Sequence, residues 1–113
     1  TDGVCWILDT SQNGNWAGRG VAAATAATAL APATDVVPVA ATYEYLQIAL
    51  LDGIAYFSHF NNDGQRNYGP TSMAVAVTST VLLSAYVSCE ARNATSKNID
   101  VDMVWAYQAR TAV

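Results

Sequence analysis

A single histidine limits the nucleophilic catalysis that this sequence can support. Serine, threonine and cysteine nucleophiles act with an adjacent base, and among 113 residues His59 is the only imidazole that could serve as one. It falls at the end of a predicted helix, where a histidine often complements the helix dipole. We therefore interpret His59 as a structural residue and expect no Ser–His or Cys–His mechanism.

Two polar stretches contain the residue types of hydrolytic or calcium sites. Asp100 and Asp102 are two apart on a predicted strand, so they point the same way with Cα atoms roughly 7 Å apart. Such a pair could serve a glycosidase or bind calcium, but the solvated face of a hairpin explains it more simply. The stretch 61–64, Asn-Asn-Asp-Gly, lacks the bidentate glutamate of a calcium loop, so we predict a turn there.

The remaining motifs carry little chemistry. Gly18 and Gly20 lack the third glycine of a dinucleotide-binding fingerprint. With one histidine and two distant cysteines, a zinc site lacks enough ligands. Three tryptophans could stack on sugar rings if they were exposed, although packing in a core is their commoner role: Trp6, Trp16 and Trp105. We therefore expect neither an enzyme nor a cofactor.

The two cysteines, Cys5 and Cys89, leave two interpretations open. They could be reduced thiols in a core, or they could form a disulfide that closes a loop of about 80 residues and contributes roughly 4–5 kcal/mol. The tripeptide Asn93-Ala94-Thr95 is an acceptor for glycosylation, which agrees with a secreted and oxidised protein. We expect secretion, a Cys5–Cys89 disulfide and a glycan on Asn93.

The composition fits one folded domain that spans residues 1–113. Hydrophobic residues make up 52% and charged residues 12% of the chain, which excludes intrinsic disorder. Five Lys and Arg against nine Asp and Glu give a net charge of −4. Because so few cations cannot neutralise a run of phosphates, we expect no nucleic-acid partner.

Most of the chain between its two ends is predicted to be helical. The Ala- and Thr-rich stretch 21–31 favours a short helix, and 38–60 favours the longest one. One apolar stripe of that helix recurs at spacings of three and four: Tyr43, Leu46, Leu50, Ile54 and Phe57. The rest of its circumference is also apolar, which is typical of a helix buried in a core, a partner or a membrane. A third helix is predicted over 70–85.

Strand periodicity is found near both ends of the chain. Residues 4–9 read as a strand that is followed by the turn signal Asn13-Gly14. The stretches 86–92 and 99–108 alternate between apolar and polar positions, which predicts a hairpin with one covered face. The predicted fold is therefore α+β: a small antiparallel sheet of three to four strands with two to three helices packed on one face.

The order of these features resembles the secreted killer toxins of yeasts and other fungi. The likeness lies in the Cys5-Trp6 neighbourhood, the Gly/Asn turn with Trp16, the small-residue helices and the late strand and hairpin with Cys89. The resemblance implies an antiparallel sheet with helices on one face, structural roles for the two cysteines, and attack on the membranes of competing yeasts. The family's toxin is cut into two chains, whereas this sequence has no dibasic cleavage site, which leaves a partner chain open.

The resemblance gives the first functional hypothesis, a secreted antifungal toxin that acts on the target cell membrane. Its hydrophobic helices, 36–60 and 73–87, would insert as a hairpin, with the apolar stripe of the long helix as the membrane-interacting residues. A self-assembling filament or coat subunit is the second hypothesis, because high apolar content also suits burial against further copies. A secreted fungal effector that binds a receptor is the third. The expected partners are thus a membrane or cell-surface receptor, a partner chain, or copies of the same chain.

Overall fold

The computed structural model describes part of the chain in detail. The described residues are 2–10, 14–26, 36–74, 76–78, 80, 83–90, 94 and 98–107. The chain divides into two units, which we call the body (Thr1–Leu82) and the C-terminal segment (Leu83–Val113).

The described part of the body is built from β-strands. They are β1 (Gly3–Leu8), β2 (Trp16–Ala22), β3 (Thr25–Ala26), β4 (Tyr45–Leu51), β5 (Ile54–Phe60) and β6 (Arg66–Met73). They form two three-stranded antiparallel sheets, in the orders β1-β2-β3 and β4-β5-β6. The described residues contain no helix, so the α+β prediction is wrong and the fold of this part is all-β.

A two-residue turn explains why the long helix predicted over 38–60 is wrong. Asp52 and Gly53 both have positive φ, 51° and 77°, and the pair Leu51–Ile54 flanks them. Positive φ at both central positions is the geometry of a tight hairpin turn, for which Asp-Gly is a favoured sequence. The turn reverses the chain and pairs β4 with β5 over their whole length, where a helix would have run straight on.

The helix predicted over 70–85 is also wrong. Its first residues belong to β6, which pairs with β5, and 83–85 belong to neither a helix nor a strand. The predicted turn before β6 is confirmed: Asn61 N–H donates to the Gln65 carbonyl at 2.9 Å, and Gly64 N–H donates to the Asn61 carbonyl at 2.9 Å. Pairing of β6 with the preceding strand β5 thus overrides the weak helical periodicity of this stretch.

The first sheet begins with the strand that the sequence predicts. β1 covers most of the predicted stretch 4–9, which is confirmed, and it pairs in register with β2. The short helix predicted over 21–31 is wrong at its start, because β2 and β3 join through Ala23 and Ala24, both at positive φ. Residues 27–31 of that prediction lie outside the described residues.

The core of the body lies where the two sheets face each other. Its buried cluster consists of Ala55, Phe57, Met73 and Ala76, with Trp6 packed at its edge. The Trp6 ring meets the Phe57 ring edge to face, with centroids 5.2 Å apart. Phe57 and Met73 are the large apolar side chains of this cluster, so the core is small relative to the number of apolar residues in the chain.

The C-terminal segment does not form the predicted hairpin in its described residues. Residues 83–90 and 98–107 belong to neither a helix nor a strand, and they are exposed. Cys5 and Cys89 are both free thiols, so the predicted disulfide is wrong. The bridge was expected to join the first strand to a hairpin, and the described residues of that hairpin form no strand. Asn93, the predicted glycan acceptor, lies outside the described residues.

Candidate functional site

His59 is enclosed within the second sheet. It lies on β5 with a relative exposure of 0%, and neither ring nitrogen has a hydrogen-bond partner among the described residues. Its Nε2 atom is 3.6 Å from Glu44 Oε1, which is too long for a hydrogen bond. No face of the ring reaches solvent. This placement agrees with the structural role that the sequence suggests.

Glu44 connects the chain before β4 to the start of β2. One carboxylate oxygen accepts a hydrogen bond from Trp16 Nε1 at 3.1 Å, and the other accepts from Val39 N–H at 3.1 Å. The backbone follows the same path, since Trp16 N–H donates to the Val36 carbonyl at 2.9 Å. Both oxygens of Glu44 are therefore committed to holding the body together rather than to chemistry.

A pocket of about 250 Å³ opens beside Glu44. Its lining residues are Val39, Thr42, Glu44, Asn61, Asn62 and Asp63. Two of its polar side chains are already engaged in local structure: Thr42 Oγ1 donates to the Val39 carbonyl at 2.9 Å, and Asp63 Oδ1 accepts from Gln65 N–H at 2.9 Å. Among the residues that the structure describes, no three His, Cys, Asp or Glu side chains converge as metal ligands. The acidic side chains in the lining of the pocket are Glu44 and Asp63.

The feature that stands out is an exposed apolar surface on β4. We call Tyr45, Leu46, Leu50 and Leu51 the β4 surface. Tyr45 is 54% exposed and Leu51 is 67% exposed, and the other two are also exposed. β4 carries no charged residue, glycine or proline, and it lies at the edge of its sheet. Tyr45 and Leu51 share one face of the strand, and Leu46 and Leu50 share the other, so β4 leaves large apolar side chains in water on both of its faces.

The outer face of β5 extends this surface. Residues directly opposite each other on antiparallel strands share a face of the sheet, and Tyr45 lies opposite Phe60, Ala49 opposite Tyr56 and Leu51 opposite Ile54. The three β5 residues are half-buried. The Arg66 guanidinium lies 5.4 Å from the centre of the Phe60 ring and brings a cation to the border of the patch.

The five residues that the sequence places on one membrane-facing helical stripe do not share a face. Tyr43 precedes β4 and is exposed, as are Leu46 and Leu50 on β4. Phe57 is buried in the core, and Ile54 is on the opposite face of β5 from Phe57. The stripe is therefore divided between two strands, two faces and the core.

A second exposed apolar row lies in the C-terminal segment. Trp105 is 74% exposed and Tyr107 is 75% exposed, and their rings are stacked with centroids 5.9 Å apart at an interplanar angle of 4°. Stacking of residues two apart requires an extended backbone with both side chains on one side. Ile99, Val101 and Met103 continue the same alternate positions and are exposed. Asp100 and Asp102 lie between them and are exposed as well.

The tryptophans differ in their surroundings. Trp6 and Trp16 are half-buried in the body, and the Trp6 indole N–H donates to the Gln47 carbonyl at 3.1 Å. The expected core packing holds for these two but is wrong for Trp105. Sequence reasoning also missed the exposed positions of Tyr45 and Leu51, although the Asp-Gly pair after β4 was the available signal for a strand edge there.

No helix in the part of the chain that the structure describes is long and apolar enough to cross a membrane. Comparison with family models, with curated proteins and with solved structures finds no match to this chain. We therefore infer function from the geometry of the described residues.

Proposed function

We propose that this protein is a structural subunit that assembles with further copies of itself. The observation that carries the proposal is the β4 surface, an uncharged apolar strand edge that the body leaves in water. This was the second of the three hypotheses that the sequence suggests, and it is now the one with the best physical support.

β4 exposes more large apolar side chains than the core cluster buries. Fully burying a side chain the size of leucine contributes roughly 1.5–3 kcal/mol. The described core cluster has two large apolar side chains, Phe57 and Met73, whereas β4 exposes four. Association costs an estimated 4–15 kcal/mol in lost freedom of motion, and burial of several such residues on each copy is of the size needed to offset it.

The edge position of β4 supplies a second reason. Soluble proteins blunt the edges of their sheets with charges, proline, bulges or covering segments, because a bare edge pairs with other strands. β4 has no charge, proline or glycine. An edge of this kind is suited to be covered by another strand in an assembly.

The membrane-insertion mechanism of the toxin hypothesis loses its basis, because the described parts of both insertion segments form strands or lie outside any helix. Antifungal activity, secretion and receptor binding stay predictions from the sequence. Inhibition of yeast growth by the purified protein tests the first of them.

The proposal is tested by measuring the mass of two matched variants with size-exclusion chromatography and light scattering. Leu51→Lys adds one positive charge to the β4 surface, and Gln65→Lys adds the same charge to an exposed turn. We expect the unmodified chain and Gln65→Lys to form the same assembly, and Leu51→Lys to shift toward the monomer while its far-UV circular dichroism spectrum stays that of the unmodified chain. A monomeric unmodified chain contradicts the proposal.

A further inference from the structure

We infer that the segment covering the β4 surface is residues 98–107 of a second copy, added to β4 as an extra strand. This inference rests on the proposed function and names the partner within it. Neither the toxin hypothesis nor the predicted hairpin within one chain includes such an exchange between copies.

The segment 98–107 has the pattern of a strand without a sheet. Its odd-numbered positions, from Ile99 to Tyr107, are apolar, and two of its even-numbered positions are Asp100 and Asp102. Alternation of this kind is typical of a strand with one covered and one solvated face. The stacked rings of Trp105 and Tyr107 indicate an extended backbone at 105–107, with these two side chains on one side. The face that should be covered is nevertheless exposed.

Among the edges of the second sheet, β4 is the one fitted to receive an added strand. The opposite edge, β6, contains Pro70, which cannot donate a ladder hydrogen bond, and its register is irregular between Phe57 and Phe60. On β4 the Gln47 carbonyl already accepts the Trp6 indole. The added strand therefore pairs alongside 48–51, next to the exposed Leu51.

The partner is a second copy because each chain contains both an edge strand, β4, and a segment that could pair with it, 98–107. Each copy has one apolar edge strand, which Trp6 contacts at the Gln47 carbonyl. Each copy also has one segment with the sequence pattern of a strand but no sheet. A different protein that covered the β4 surface would leave Trp105 and Tyr107 in water, whereas exchange between copies covers both features at equal stoichiometry. Added strands recognise an edge through main-chain hydrogen bonds and alternate side chains. β4 itself carries no charged residue, and the acidic residues that flank it, Glu44 and Asp52, lie just outside the strand.

The test uses the full chain and three single substitutions, followed by sedimentation velocity. Trp105→Glu places a charge on the apolar side of the segment, and Ala106→Glu places the same charge on the alternate side. We expect Trp105→Glu to raise the concentration at which the assembly dissociates by at least about tenfold, and Ala106→Glu to leave it within about twofold. An equimolar mixture of Trp105→Glu with Leu51→Lys should recover assembly, because an intact segment then meets an intact edge and the introduced charges are opposite.

The outcomes separate this inference from the proposed function. If Leu51→Lys weakens the assembly and Trp105→Glu does not, the chain self-assembles through β4 but the partner is not 98–107. If both variants are monomeric and their mixture does not recover assembly, the two surfaces do not meet and the inference fails. A monomeric unmodified chain overturns the proposed function itself. An unchanged far-UV circular dichroism spectrum and a cooperative melting transition confirm that each variant is folded.

Discussion

At the scale of single residues, the charged and polar groups of the body serve the fold. Asp2 shows this most directly. One of its carboxylate oxygens accepts from Ala23 N–H at 3.0 Å and the other from Thr78 N–H at 2.6 Å. Asp2 thus joins the β2–β3 turn to the chain that follows β6. The Thr78 hydrogen bonds, together with the one from Ala23, lower the pKa of Asp2 below its ordinary value of 3.8.

This lowered pKa predicts how the stability depends on pH. The ionised carboxylate stabilises the folded state, so its contribution is fully present above the unfolded pKa and is lost as the pH falls through the folded one. Asp2→Asn should melt at a lower temperature than the unmodified protein at pH 7, and the gap should close as the pH falls below about 4. Thermal unfolding followed by circular dichroism measures the gap. Asp100→Asn, in the C-terminal segment, controls for net charge, and a gap that persists at pH 2 contradicts the prediction.

The two thiols show the limits of arguing from residue type alone. Burial raises the pKa of the Cys5 thiol, which the charge of Arg19 partly offsets. Arg19 lies directly opposite Cys5 in the β1–β2 ladder. A raised pKa lowers the thiolate fraction at neutral pH and with it the reactivity of the cysteine. Its environment on β1 therefore agrees with the free thiol, whereas counting cysteines led to a disulfide.

At the scale of elements, the tight turns determine the topology. Asp52-Gly53 turns β4 into β5, and Ala23-Ala24 turns β2 into β3. Glycine adopts positive φ without strain, whereas an L-residue with a Cβ atom loses roughly 1–2 kcal/mol in this region. The Ala-Ala turn is therefore a strained connection.

Relief of that strain is testable by one substitution. Ala24→Gly should increase the free energy of unfolding of the body by about 0.5–1 kcal/mol. Glycine adopts the φ of 66° at this position without strain. Ala26→Gly, two residues on in β3, should instead destabilise the body, since glycine weakens a strand. Urea unfolding of the two variants and the unmodified chain gives both differences. A loss of stability in Ala24→Gly contradicts the assigned turn.

The packing of the two sheets gives a second prediction at this scale. A Cβ atom on Gly18 would lie 3.0 Å from the Phe57 ring, whereas one on Gly3 would meet nothing within 4 Å. Gly18→Ala should therefore destabilise the body by about 1–3 kcal/mol through overpacking, and Gly3→Ala should cost much less. Urea unfolding measures both. Equal effects of the two substitutions would show that β2 does not face Phe57.

The elements also show what the sequence can and cannot predict. The strand at 4–9 and the turn at 61–64 follow from local patterns, and both are confirmed. The helix at 38–60 fails because residues four apart, such as Leu46 and Leu50, share a face in a strand as they do in a helix. Asp-Gly is the local signal that distinguishes the two. β6 depends on pairing with β5, which local sequence does not encode.

At the scale of the whole molecule, the division of apolar residues is the main result. The body encloses a small core around Phe57, while large apolar side chains remain exposed on β4 and in 98–107. High apolar content predicted burial in a core, a partner or a membrane. We propose a partner, because the exposed residues lie on an edge strand and in a strand-patterned segment rather than on an apolar helix.

The candidate interface could be predicted only in part. Composition and the low charge suggested self-assembly as one of three hypotheses, and the alternation over 99–108 indicated a strand with one covered face. Which residues would be exposed could not be predicted, because the exposure of Tyr45 and Leu51 depends on the edge position of β4 in a sheet that the sequence did not reveal.

The mass of the unmodified chain in solution tests the central claim most directly. Sedimentation equilibrium from about 1 to 100 µM covers the range in which mass action shifts an association of moderate affinity. The account predicts a weight-average mass that rises with concentration to at least twice the 11.9 kDa of one chain. A mass of one chain at every concentration would contradict it.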